Sequence, residues 1–212
     1  MEKGIQTIVF DCGGVITLEQ NRALLGRMAA FFGAETAEFE KAYHAERREY
    51  DRGTEDARAY WSRLGARYGR ILSDADLAWI ATVDMDSWFT INRETIAIVR
   101  DLKDRGFKLL ILSNMNFEGK KRLEGPARFL DGKDWYSLFD DVLLSCDLGL
   151  MKPERAIFEA CAARAGGEPG SCLFIDDMET NVLGARDAGM QAIRFLGADA
   201  LRLALSRDYG IQ

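Results

Sequence analysis

Histidine and proline are scarce in this chain: one histidine and three prolines among 212 residues. The lone His44 rules out a multi-histidine zinc or iron site, and any Ser-His-Asp triad would have to use it. Acid–base work therefore falls largely to carboxylates. The four cysteines, at 12, 146, 161 and 172, form no C-x-x-C pair and no metal-ligand spacing, so reduced, buried thiols and no disulfide are expected. No apolar run approaches the length of a membrane span, and the first residues, Met1-Glu2-Lys3-Gly4, lack the regions of a signal peptide. A cytoplasmic location is expected. Basic residues are scattered in a chain of net charge −6, which argues against nucleic acid or an anionic membrane as partner. What is present, 48% hydrophobic and 29% charged residues, describes a globular chain with one substantial core and room for an insertion.

Ile5 to Phe10 is short and apolar enough to be a strand buried in a parallel sheet. From about 19 to 90 the apolar positions recur at helical spacing, as in Leu24, Leu25, Met28, Phe31 and Phe32, or Tyr60, Trp61, Leu64 and Tyr68. Four helices and no strand are expected there, with Gly33, Gly53 and Gly69 at helix ends and a Ser73–Asp76 capping pattern. After Asn92 strand and helix alternate. A helix over 93–105 precedes a strand over 107–112; strands at 141–145, 172–175 and 191–195 follow, with helices at 153–165, at 179–188 and at the end of the chain. This order predicts an α/β fold: a Rossmann-like parallel sheet with helices on both faces, built from residues 1–18 and 91–212, plus an α-helical cap domain over 19–90. Ligands of such sheets bind beyond the strand C-termini, below the inserted cap.

Polar residues stand at the predicted strand ends: Asp11 followed by Cys12-Gly13-Gly14, then Ser113-Asn114, then Asp176-Asp177. Lys152 precedes Pro153, which can be the first residue of a helix. Each has a plain structural explanation as a turn or cap residue. Converging on one crevice, they suit phosphoryl transfer. Asp11 and one acid of the 176–177 pair can hold a hard divalent cation, most simply Mg2+. Asp11 can attack phosphorus, giving an aspartyl phosphate that water hydrolyses. Lys152, the Ser113 hydroxyl and backbone N–H groups around Cys12 to Gly14 can offset charge on the phosphoryl oxygens.

Four segments in this order resemble the haloacid dehalogenase superfamily: Ile8-Val9-Phe10-Asp11-Cys12-Gly13-Gly14-Val15, Leu110-Ile111-Leu112-Ser113-Asn114, Lys152-Pro153-Glu154, and Phe174-Ile175-Asp176-Asp177 with Asn181 and Gly184-Ala185-Arg186. The resemblance implies Asp11 as nucleophile and metal contacts from its carboxylate, the Gly13 carbonyl and Asp177, supported by Asp176. It also implies phosphate held by Ser113, Asn114 and Lys152. Leu144 to Glu154 and Glu49-Tyr50-Asp51-Arg52-Gly53 resemble the bacterial α-D-glucose-1-phosphate phosphatase branch more closely.

Most phosphatases of that superfamily carry a second aspartate where this chain has Gly13, and use it as proton donor. Three readings follow. One is a phosphatase for a small phosphorylated metabolite with a good leaving group, such as a sugar 1-phosphate, a cap residue (His44, Glu46, Glu49 or Asp51) being a candidate donor. The second is a 2-haloacid dehalogenase-type hydrolase, and the third a non-catalytic protein that binds a phosphorylated ligand. Tyr43, Tyr50, Tyr60, Trp61, Trp79, Trp88 and Phe89 are expected mainly in the cap's core, and Met115, Asn116 and Phe117 within reach of a substrate.

Overall fold

The computed structural model describes residues 4–211. Its five-stranded sheet is parallel throughout: β1 (Thr7–Phe10), β2 (Lys108–Ser113), β5 (Asp141–Leu144), β6 (Cys172–Asp176) and β7 (Gln191–Arg194), in the order β5-β2-β1-β6-β7. β1 is central because its side chains face helices on both sides of the sheet. Ile8 and Phe10 pack with α6 (Arg93–Asp104) and α11 (Ala198–Tyr209), while Val9 packs with α9 (Arg155–Ala165) and α10 (Glu179–Asp187). A strand covered on both faces needs an unbroken apolar run, and Thr7 to Phe10 are all buried. The register pairs Phe10 with Ile111 and Ile175, so Asp11 emerges beside Leu112 and Asp176 at the C-terminal edge.

Between β1 and α6 the chain forms five helices, one more than expected: α1 (Arg22–Phe32), α2 (Thr36–Ala45), α3 (Arg48–Arg52), α4 (Ala57–Arg67) and α5 (Asp74–Trp88). Side chains cap several of them. Asn21 accepts from the N–H groups of Ala23 and Leu24, Asp56 from that of Ala59, and Ser73 and Asp76 form the expected reciprocal box. Gly33 and Gly53 end α1 and α3 in the left-handed region. This helical layer has an apolar core of its own, in which Phe39, Tyr43, Tyr60, Trp61 and Leu64 are fully buried. Its two chain crossings are joined to each other: Leu18 N–H donates to the Thr90 carbonyl (2.7 Å) and Asn92 N–H to that of Ile16 (2.9 Å).

Three further features depart from the expected pattern. A hairpin of two-residue strands, β3 (Phe129–Leu130) and β4 (Lys133–Asp134), follows α7 (Phe117–Glu124). A single turn, α8 (Ser145–Leu148), follows β5 directly. Pro153 does not open α9. That helix starts at Arg155 with Glu154 as its N-cap residue, and the Lys152–Pro153 bond is cis. All four cysteines are free and buried, and no described helix is long and apolar enough to cross a membrane.

Candidate active site

The turn after β1 closes on itself, Thr17 N–H donating to the Cys12 carbonyl (2.8 Å) while Cys12 N–H donates to an Asp11 oxygen (2.6 Å). Gly14 has a φ of 73°, and a Cβ there would stand 2.6 Å from an Asp177 oxygen. Only glycine combines that backbone with so close an approach. Gly13 is different: its φ is −67°, and a Cβ would meet nothing nearer than the Trp88 ring at 3.8 Å. The backbone would accept a side chain at 13, so the lack of an acid there is not forced by conformation.

Asp11, Asp176 and Asp177 place carboxylate oxygens within 4.8 Å of one another. The buried Lys152 bridges two of them, lying 2.8 Å from Asp11 and 2.7 Å from Asp176. One ammonium faces three carboxylates. Burial drives the Asp11 carboxyl up to about 7, Lys152 opposing and Asp176 adding to the rise. Asp177 is raised by burial and then by Asp176. Burial disfavours the Lys152 charge, yet Asp11 and Asp176 outweigh it and hold its pKa above the ordinary value. Burial also pushes the Cys12 thiol far up, so it is a packed neutral group beside Asp11.

Asp176 is fully engaged. Besides Lys152 it accepts from Met178 N–H (2.8 Å) and from the Asn181 amide (3.0 and 3.1 Å), so Asn181 fixes its orientation from the first turns of α10. Asn114 gives both ends of its amide to the backbone of Lys152, at 2.9 Å each. It thereby braces the lysine's loop against the tip of β2.

A cavity of about 600 Å³ opens over these strand tips. Asp11, Cys12, Gly13, Ser113, Asn114, Lys152 and Asp177 all border it; Gly14 packs beneath Asp177, and Asp176 is wholly covered. The helical layer supplies the opposite wall with His44, Arg47, Arg48, Asp51 and Trp88, and Met115 and Asn116 line it as well. Phe117 does not: it is exposed at the start of α7. Of the aromatics expected to be mainly core, Tyr43, Tyr50, Tyr60 and Trp61 are buried, while Trp88 and Phe89 border the cavity.

The wall of the helical layer is held by a charged network that the sequence does not display. Arg47 Nε donates to both oxygens of Asp51 (3.1 and 3.0 Å), and its Nη1 donates to both oxygens of the fully buried Asp84 (3.1 and 3.0 Å). The same Nη1 reaches the Tyr43 hydroxyl, which donates to Asp84 and accepts from the Trp88 indole N–H (2.9 Å). Asn116 Nδ2 donates to Asp51 (2.9 Å), and the Ser145 hydroxyl donates to the Asp51 carbonyl (2.5 Å), joining α3 to the ends of β2 and β5. Burial lifts the Asp51 carboxyl to about 6 against the pull of Arg47, and burial together with Arg47 lowers the pKa of His44. The i, i+4 spacing of Arg47 and Asp51 was the one available sequence signal.

A family model described as haloacid dehalogenase-like hydrolase matches residues 5–189. The chain belongs to that family. Among solved structures, the hydrolase is similar to a predicted HAD-like family hydrolase from Porphyromonas gingivalis (25% identity, TM-score 0.77, 96% of this chain and 98% of that one). It also resembles a HAD family enzyme from Bacteroides thetaiotaomicron in complex with magnesium and inorganic phosphate (22% identity, TM-score 0.74, 90% and 94%). A glyceraldehyde 3-phosphate phosphatase from Methanothermobacter thermautotrophicus is 33% identical over 104 residues, 47% of this chain and 42% of that protein. The curated relatives are matched over less than half of their own length, and the first three over 18–22% of it.

Proposed function

We propose that the hydrolase is a magnesium-dependent phosphatase acting on a small phosphorylated metabolite, a sugar 1-phosphate of the kind handled by the α-D-glucose-1-phosphate phosphatase branch. The observation that carries this reading is the Asp11–Asp176–Asp177 cluster, whose oxygens lie within 4.8 Å of one another, with Lys152 bridging Asp11 and Asp176. Such a set of hard donors fits a divalent cation, because without one the carboxylates repel and Asp11 is held near neutrality. The Gly13 carbonyl completes the expected ligands. The magnesium and phosphate bound by the B. thetaiotaomicron enzyme and the phosphatase activity of the archaeal relative support the same reading.

Magnesium bound there would offset the carboxylate and phosphoryl charges. Asp11 is the nucleophile, and Lys152, 2.8 Å away, orients its carboxylate and neutralises charge on the phosphoryl group. Ser113 and the N–H groups of Gly13 and Gly14 bind the phosphoryl oxygens, that of Cys12 being held by Asp11; Asn114 acts by keeping Lys152 in place. Residues 19–90 form a cap that closes the site from water and contacts the rest of the substrate. Glycine at 13 favours an anomeric leaving oxygen, which is more acidic than an ordinary alcohol.

The test is phosphate release from sugar 1-phosphates, sugar 6-phosphates, nucleotides, acyl phosphates and pyrophosphate, with and without magnesium. Asp11→Asn is the blank. Magnesium-dependent release that vanishes in the variant is the expected result; magnesium-independent chloride release from a 2-haloacid, with no phosphatase activity, would replace the reading by the dehalogenase one.

A further inference from the structure

Cleaving an unactivated phosphate ester leaves an oxygen that must gain a proton, and the strand tips have none to give. Asp11 must be ionised to attack, Asp176 accepts four hydrogen bonds, and Lys152 is clamped between the two. Asp177 lies against Gly14 within the acid cluster that would hold the metal. Beside Gly13 the space is bounded by the ring of Trp88. The donor therefore has to come from the other wall of the cavity.

That wall holds two carboxylates, the buried Asp84 and the partly buried Asp51, which share the cation Arg47. Asp84 is sealed from the cavity, whereas Asp51 borders it. Of the two carboxylates, Asp51 alone can meet a substrate. The residue is fixed relative to the strand tips as well: Asn116, which holds its carboxylate, stands two residues beyond Asn114, and Ser145 holds its backbone. Burial keeps this carboxyl close to half-protonated in mildly acid solution, which suits a group that must give a proton and later recover it. His44, also titratable and on this wall, is shifted towards its neutral form by burial and by Arg47.

We propose that Asp51 is the proton donor of this hydrolase, working from the helical layer in place of an acid at Gly13; the proposal rests on the phosphatase reading. As the Asp11–phosphorus bond forms, the electron pair of the breaking P–O bond passes to the leaving oxygen, which takes the Asp51 proton. In the second half, water attacks phosphorus, gives a proton to the Asp51 carboxylate, and Asp11 leaves with its electron pair as phosphate is freed. Every proton is accounted for and no other reactant is needed.

The test compares Asp51→Asn with the unsubstituted protein on 4-nitrophenyl phosphate, whose leaving group departs as an anion, and on the fastest sugar phosphate of the panel. Asparagine keeps the oxygen that accepts from Asn116. General acid catalysis contributes roughly 10²–10⁴-fold, so kcat on the sugar phosphate should fall about 100-fold or more while kcat on 4-nitrophenyl phosphate falls less than about tenfold. Adding Gly13→Asp to Asp51→Asn should restore much of the sugar phosphate rate, since the backbone at 13 accepts a side chain. Equal losses on both substrates would reduce Asp51 to a structural role, and a selective loss in His44→Gln but not in Asp51→Asn would transfer the role to the histidine. Absence of magnesium-dependent release from every ester by the unsubstituted protein would overturn the phosphatase reading itself, and this proposal with it.

Discussion

Asp11→Asn should make the metal-free protein more stable, by an amount that grows with pH. The Asp11 carboxyl is raised from its ordinary 3.8 to about 7, first by burial and further by Asp176 and Asp177, with Lys152 opposing. That rise corresponds to roughly 4 kcal/mol of preference for the protonated form in the folded protein. A folded pKa above the unfolded one means that unfolding releases a proton between these values. Stability from this group is therefore complete below about pH 4 and is lost as pH rises to 7. Asparagine carries no charge and escapes the loss. For a chain of this size about 1 kcal/mol moves Tm by roughly 2–4 °C, so in EDTA at pH 8 the variant should melt roughly 8–16 °C above the unsubstituted protein. The gap should shrink towards pH 5. Asp51, raised in the same sense but outside the cluster, contributes to both curves and cancels in the difference. Magnesium competes with the proton on Asp11, so its stabilising effect on the unsubstituted protein should also grow with pH and should be weaker in the variant. Thermal unfolding from pH 5 to 8, with and without magnesium, measures both effects. A Tm difference that stays flat with pH, or an Asp11→Asn protein less stable at pH 8, would refute the electrostatic account of the cluster.

Other perturbations test single contacts. Gly14→Ala forces a left-handed residue, at about 1–2 kcal/mol, and drives a Cβ into Asp177; the magnesium concentration for half-maximal phosphate release should rise at least about tenfold, as about 1.4 kcal/mol lost in binding corresponds to that factor. Gly53→Ala, with a φ of +82° and a Cβ 2.7 Å from the Cys146 carbonyl, should cost roughly 2–3 kcal/mol in urea unfolding and lower kcat by shifting α3 and Asp51. Lys152→Met leaves Asp11 and Asp176 without their shared cation. It should abolish turnover and destabilise the metal-free protein by about 3–5 kcal/mol at pH 8, with a smaller loss at pH 5, where Asp11 carries its proton.

How much could be read from the sequence depended on whether the information was local. The run Thr7 to Phe10 declares a strand buried on both faces, and glycines at turns mark where chain direction changes, so the sheet and the polar tips were legible. A parallel sheet then brings Asp11, Ser113, Lys152 and Asp177 to one cavity without further information. Helix α3 was not separately legible because its five residues are too few to show a period, although it carries Asp51. The partners of Asp51 lie up to 94 positions away, in Asn116 and Ser145. Asn114 looks like a phosphate ligand in the sequence, and only the fold shows its amide spent on Lys152. The hairpin at Asp131-Gly132 was missed because two-residue strands carry no alternation.

Glu154 stands two residues after Lys152, at the N-cap position of α9, and accepts from Arg48 (2.6 Å) and Arg52 of α3, while Arg52 also reaches the Gly149 carbonyl (2.9 Å). These contacts cross from the helical layer to the loop that carries the lysine; the Arg48–Glu154 pair lies at the surface and the Arg52–Glu154 pair is partly buried. Mobile ions weaken such exposed pairs, with a screening length of about 10 Å at 0.1 M salt. One of the contacts that seat the layer is thus a salt-sensitive fastener on the rim of a salt-insensitive, buried centre. Rising ionic strength should therefore loosen the Arg48–Glu154 contact before it reaches the buried Asp11–Lys152–Asp176 centre.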